Sequence, residues 1–191
     1  LGAHVFTFEH PAGGALARVD RLDGSLGQGT NGQGPIACIA NIVGGSELEV
    51  IGSSTVYRMP VPPAGVTRRS ACTVGDTSDF CRGLLTVVWD AQTVNGAGMV
   101  PNRTGFCAVA DVLGASRTMP PSPANPLDGS PELIVVAAGR MYIYAGDTGT
   151  LARNLDLACA ATQGGAPNVD DFDGDGFTEI GTAVGSAVLN A

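Results

Sequence analysis

Lysine is missing from this sequence altogether: all ten basic residues are arginine, set against 18 aspartates and glutamates. Lysine Schiff-base chemistry is therefore excluded. A net charge of −8 offers nucleic-acid phosphates no basic stripe to grip. Histidine is limited to His4 and His10, and none of the five cysteines stands in a C-x-x-C pair, so the ligand spacing of a zinc site is absent. Aromatics make up only 5% of the chain, few for a surface that stacks on sugars. No apolar run approaches the ~20 residues of a membrane-spanning helix. Helical periodicity is nearly absent too. The serines lie in turns without a nucleophile-elbow pattern, and the two histidines sit at the N-terminal edge, away from any triad-like grouping. Two-carboxylate glycosidase chemistry is the one enzymatic reading left open, because any two acids could meet in the fold.

What is abundant is punctuation. Glycine numbers 28 and proline 12, spread between short β-like runs, which predicts an all-β fold with many turns. Two patterns alternate along the chain. The first is a strand, an acidic loop and a strand: Ile39–Ile51, then Val109–Gly114 resuming at Asp128–Val136, then Val169–Gly181. The second is an aromatic strand, a turn and a further strand, at His4–Gly14, Thr86–Gly96 and Met141–Gly149. One full unit then has about four strands, and a radially repeated four-stranded unit is a propeller blade. The units fall at about 1–34, 35–100, 101–160 and 161–191 of a single domain, the first and last being partial. The expectation is an all-β propeller segment whose broken ends pair with each other, within one chain or between chains.

The third acidic loop, Asp171-Phe-Asp-Gly-Asp-Gly-Phe-Thr-Glu179, has carboxylates at its positions 1, 3, 5 and 9 and glycine at position 6. Alternating carboxylates on a tight turn aim their oxygens at one point, where a hard cation turns repulsion into attraction. Gly176 permits the left-handed turn and the Phe177 carbonyl supplies a further oxygen, which predicts a Ca²⁺ site of Asp171, Asp173, Asp175, Phe177 and Glu179. An EF-hand would need a bidentate glutamate at position 12, which here is Thr182, and flanking helices, whereas the flanks read as Pro167-Asn-Val and Ile180-Gly-Thr-Ala-Val. A solvated acidic turn without metal is the competing reading. Residues 166–181, Ala-Pro-Asn-Val-Asp-Asp-Phe-Asp-Gly-Asp-Gly-Phe-Thr-Glu-Ile-Gly, resemble the calcium loop of FG-GAP/VCBS-type repeats. That resemblance implies a secreted β-propeller with the loop joining the first two strands of each blade.

The other two loops are degenerate. The loop opening at Asn41 has Val43 and Gly45 in ligand positions and keeps Glu49 at position 9, so it is expected to have lost its metal. The loop opening at Asp111 is interrupted by a proline-rich insertion, Ala115–Leu127, after which Asp111, Asp128 and Glu132 could form a second, degenerate metal site or a plain surface loop. Cys72 and Cys81 flank a turn-rich octapeptide and are expected to pair, while Cys38, Cys107 and Cys159 share at most one further bond with the choice open. Such disulfides suit an oxidising compartment, hence a secreted or cell-surface protein. Asn102-Arg-Thr104 matches a glycosylation sequon, and the insertions at 59–83 and 115–127 are candidate partner surfaces. The function read from these features is a calcium-stabilised module for adhesion, protein interaction or assembly rather than an enzyme. A carbohydrate-binding or carbohydrate-active propeller and an extracellular filament subunit are the alternatives. Self-association or further blades are expected, with no nucleic acid and no membrane span.

Overall fold

The computed structural model describes residues 2–9, 17–27, 37–59, 84–101, 103–117, 121–157 and 164–183. Cys72, Cys81, Cys159 and Asn102 lie outside these residues. The described chain is mostly β, as the turn density predicted. Its strands are β1 (Gly2–Glu9), β2 (Ala17–Gly27), β3 (Ala37–Ala40), β4 (Glu49–Gly52), β5 (Thr55–Arg58), β6 (Leu84–Asp90), β7 (Phe106–Ala110), β8 (Glu132–Ala137), β9 (Arg140–Ala145), β10 (Leu151–Asp156), β11 (Asn168–Asp170) and β12 (Glu179–Gly181). One short helix, α1 (Ala91–Asn95), follows β6.

Two four-stranded antiparallel meanders stand out: β3-β4-β5-β6 and β7-β8-β9-β10. The hairpin β1–β2 is added to the first of them by a short parallel pairing of β2 with β6, Asp23 opposite Leu84 and Gly24 opposite Leu85. The hairpin β11–β12 forms a two-stranded sheet of its own. Among the described residues the sheets do not close into a ring, and the expected pairing of the two end hairpins with each other is not found: β2 lies beside β6 instead. The pairing of β2 with β6 runs over two residue pairs and makes the N-terminal hairpin the edge of a six-stranded sheet.

The strand β8 shows why the meanders stack. Its sequence Glu-Leu-Ile-Val-Val-Ala is buried throughout, as expected for a strand covered on both faces. Leu133, Val135 and Ala137 face one cluster, with Ile42, Ile51, Val56, Trp89 and Tyr144, so the two meanders meet there. Ile134 and Val136 face the other, with Met141 and Ile143, against which Val169 and Ile180 of the β11–β12 hairpin pack. The two-residue turn Ala138–Gly139, both at positive φ, reverses the chain between β8 and β9. On the first meander, Val50, Tyr57 and Leu85 form a third buried cluster on the face away from the second meander.

The interface between the meanders is also pinned by polar contacts. The Trp89 indole N–H donates to the Gly146 carbonyl at 2.8 Å. Gly149, at φ 72°, lies so close to that indole that a Cβ would come within 2.5 Å of the ring. Asn95 at the end of α1 donates to the Gly149 carbonyl and accepts from the Leu151 N–H. Asp90 caps α1 and accepts from Thr55, Thr93 and the Nε and Nη2 of Arg103, the latter two at 2.7 and 2.8 Å. Burial pushes the Asp90 carboxyl up, but the hydrogen bonds from Arg103, Thr55 and Thr93 outweigh it and hold the group below the ordinary carboxylate value. A disulfide joins Cys38 of β3 to Cys107 of β7, so of the three cysteines left open by the sequence these two are the pair. No helix among the described residues is long and apolar enough to cross a membrane.

Candidate metal centre

All three acidic loops occupy the same place, between the first and second strands of a unit: β3 to β4, β7 to β8 and β11 to β12. They also share a hydrogen-bond skeleton. The residue that opens each loop accepts an N–H from a left-handed glycine: Asn41 Oδ1 from Gly44, Asp111 Oδ2 from Gly129 and Asp171 Oδ1 from Gly174. The glutamate that starts the second strand reaches back to the N–H after the opening residue. Glu49 accepts from Ile42 at 3.1 Å, Glu132 from Val112 at 2.9 Å and Glu179 from Phe172 at 2.8 Å. Glu49 and Glu132 also meet the next N–H, of Val43 and Leu113. A side-chain acceptor at each end thus satisfies loop amides that no strand partner can reach.

In the third loop this skeleton gathers charge. Asp171 also accepts from the N–H groups of Asp175 and Gly176, Asp173 from Asp175, and Asp175 from Phe177. Gly174 and Gly176 take φ values of 79° and 86°, which an L side chain adopts only under strain, so the loop wraps tightly around its own carboxylates. The result is that one oxygen each from Asp171, Asp173, Asp175 and Glu179 lies within 4.8 Å of the others. The three aspartates are exposed and Glu179 is half-buried. Each carboxylate has up to about four lone-pair sites, so the amide contacts leave acceptors free to face inward. Four hard oxygens on a turn with open solvent access could hold a hard metal ion, and the set contains no nitrogen or sulfur ligand that would favour a softer one. The N–H of Phe177, whose carbonyl is the expected fifth ligand, is held by Asp175 at 2.8 Å.

Asp111, Asp128 and Glu132 share the second loop without sharing such a point: the 171–179 group is the cluster of three or more convergent ligands among the described residues. Burial raises the Asp111 carboxyl above its ordinary value, against the Gly129 N–H, with the Asp128 charge adding to the rise. Glu132 is raised chiefly by burial, against its two amide bonds, and further by the charges of Asp111 and Asp128. Asp128 behaves oppositely. Its partial burial raises it, but the Ser130 backbone and hydroxyl and the Arg117 guanidinium bring it below the ordinary value. The insertion closes on itself through Gly114 opposite Leu127, a tight Ser122–Asn125 turn and the Asn125 side chain on the Ser116 N–H.

Sequence reasoning missed two kinds of residue here. It reads Glu49 as standing in a loop that has lost its metal and Glu132 as part of a possible second metal site, and does not see that both are buried backbone acceptors, at 0% and 1% exposure. The signal was present: each loop keeps a glutamate followed by an aliphatic residue at the head of its second strand, even where the other ligand positions are lost. It also missed the arginines beside the loops, Arg58 and Arg117. No family model, curated protein or solved structure matches this chain.

Proposed function

We propose that this chain is a calcium-stabilised β-propeller module of the FG-GAP/VCBS type, extracellular or on the cell surface, that presents its loops for adhesion, protein interaction or assembly. The observation that carries the reading is the convergence of the Asp171, Asp173, Asp175 and Glu179 oxygens within 4.8 Å. Consecutive four-stranded meanders packed face to face, each opening with the same loop, support the propeller part of it. The Cys38–Cys107 disulfide is consistent with an oxidising compartment. The role is binding or structural rather than catalytic: the convergent acids sit on an exposed turn, and the buried polar groups Asp90, Glu49 and Glu132 are engaged in holding backbone.

Calcium in such a site binds the folded state and not the unfolded one. At about a hundredfold excess over its dissociation constant it adds about 2.7 kcal/mol of stability. The thermal midpoint of the full chain is therefore expected to rise with millimolar Ca²⁺, to rise less with Mg²⁺, and to fall back on chelation. A midpoint unchanged between Ca²⁺ and chelator would overturn the calcium part. Glycan-array screening separates adhesion from the carbohydrate-binding alternative, and light scattering of the purified chain with and without Ca²⁺ separates a monomer from an assembly subunit.

A further inference from the structure

The three loops have one backbone skeleton but differ in what stands against their negative charge. In the first loop Arg58, from β5, places its guanidinium on Glu49 Oε1 at 3.2 Å and beside Glu47 at 3.6 Å. In the second, Arg117, from within the insertion, bonds both oxygens of Asp147 at 3.0 Å, reaches Asp128 at 3.4 Å and lies against the Ser130 hydroxyl. In the third, no arginine among the described residues is paired with Asp171, Asp173, Asp175 or Glu179, and this is the loop in which four carboxylates converge. We infer that Arg58 and Arg117 are tethered counter-ions that take over the cation's role in the first two loops, so that of the three loops only the one joining β11 and β12 depends on a bound cation.

Arg117 shows this most clearly. It sits in the insertion at φ 55°, a left-handed conformation that costs a non-glycine residue stability, and its N–H is tied to the Gly114 carbonyl at 2.6 Å. That posture aims the side chain back across the loop mouth, where one planar fork bridges Asp128 on the loop to Asp147 on the β9–β10 turn. A guanidinium has five donors and never loses its charge, so it neutralises the pair at any physiological pH and cannot be stripped by a chelator. A bound metal would compete with it for Asp128. The insertion is thus the element that carries a replacement cation into the loop. Arg58 reaches the same end from a different strand, because β5 pairs Arg58 directly opposite Glu49. In the second unit that register position opposite Glu132 is Ala145, which leaves the task to Arg117.

The inference rests on the proposed calcium reading only for the third loop, and its test keeps the two apart. Amide hydrogen exchange is followed in the full chain, in Ca²⁺ and in chelator, for wild type, Arg117→Gln, Arg117→Lys and Asp147→Asn. In wild type the N–H groups of Val112, Leu113, Gly129 and Ser130 are expected to exchange equally fast in both conditions. Arg117→Gln is expected to speed them by about threefold or more, the scale of a partly exposed ion-pair network, whereas Arg117→Lys stays nearer wild type. Asp147→Asn, which leaves the loop carboxylates intact, is expected to speed the same amides, with the β8–β9 amides as the internal control for folding. Chelator-sensitive exchange at residues 111–132 in wild type, or unchanged exchange there in both Arg117→Gln and Asp147→Asn, overturns the inference. A failure of the calcium reading shows elsewhere, as chelator-insensitive exchange at residues 168–181.

Discussion

Glutamate at the head of the second strand is the residue that all three loops keep, and Glu132 shows what it does. It is buried, its carboxylate accepts from Val112 and Leu113, and burial together with Asp111 and Asp128 raises its pKa. The acceptor is required, whereas the charge is an expense of burial. Glu132→Gln, which retains a carbonyl oxygen, is expected to change stability by about 1 kcal/mol or less. Glu132→Ala strands two buried amides and is expected to cost about 2–4 kcal/mol, read by urea denaturation. Equal losses in both variants would show that the charge itself is needed. The same shifts set the pH dependence. Asp111 and Glu132 have folded pKa values above their unfolded ones, so the folded state takes up their protons first and stability rises as pH falls from neutrality toward the ordinary carboxylate range. Asp90 and Asp128 are depressed, so their contribution is present above the unfolded value and is lost as pH falls through the folded one. In chelator, the unfolding midpoint is therefore expected to peak on the mildly acid side of neutrality and to drop below about pH 4. A midpoint that falls steadily from pH 7 downward would show that the raised pair is not raised.

At the scale of elements, the sequence made the strands legible and the contacts between them only partly so. Ile39–Ile51, Val109–Val136 and Val169–Gly181 do pair as first and second strands around an acidic loop, because alternation and turn residues are local signals. The helix α1 was not visible: five residues carry no period, and its capping by Asp90 depends on a carboxylate placed by β6. The Cys38–Cys107 bond was also beyond reach, since the two residues stand 69 apart in sequence and meet only when the first strands of neighbouring meanders lie side by side. Arg117 escaped notice for the same reason, being 30 residues from Asp147. The disulfide has a measurable consequence. Closing a loop of that length removes roughly 4 kcal/mol of chain entropy from the unfolded state. The double variant Cys38→Ala/Cys107→Ala is expected to lose up to about that much in denaturant unfolding. An unchanged midpoint would mean that the meanders hold each other without the bond. Gly149 is the corresponding point on the far side of the interface. Gly149→Ala adds a Cβ against the Trp89 ring at positive φ, and a loss of about 2 kcal/mol or more is expected in the same assay.

On the scale of the whole molecule, two stacked meanders flanked by two hairpins put three versions of one acidic loop at the starts of successive units. The 171–179 site was legible from spacing alone, because positions 1, 3, 5 and 9 of a glycine-punctuated turn converge through local geometry. The fate of the other two loops was not, because their charge is answered by Arg58 from a neighbouring strand and by Arg117 from an insertion. Among the described residues the three loops thereby divide into two that carry their own counter-ions and one that gathers four carboxylates without an arginine partner. Calorimetric titration of the full chain with Ca²⁺, wild type beside Asp173→Ala, tests that division directly. Asp173 contributes one oxygen to the cluster and only one hydrogen bond to the loop, so its loss removes a ligand with little damage to the fold. The expected result is one saturable binding event per wild-type chain and its loss, or a weakening of tenfold or more, in the variant, corresponding to about 1.4 kcal/mol or more. Equal heats from both proteins would contradict it.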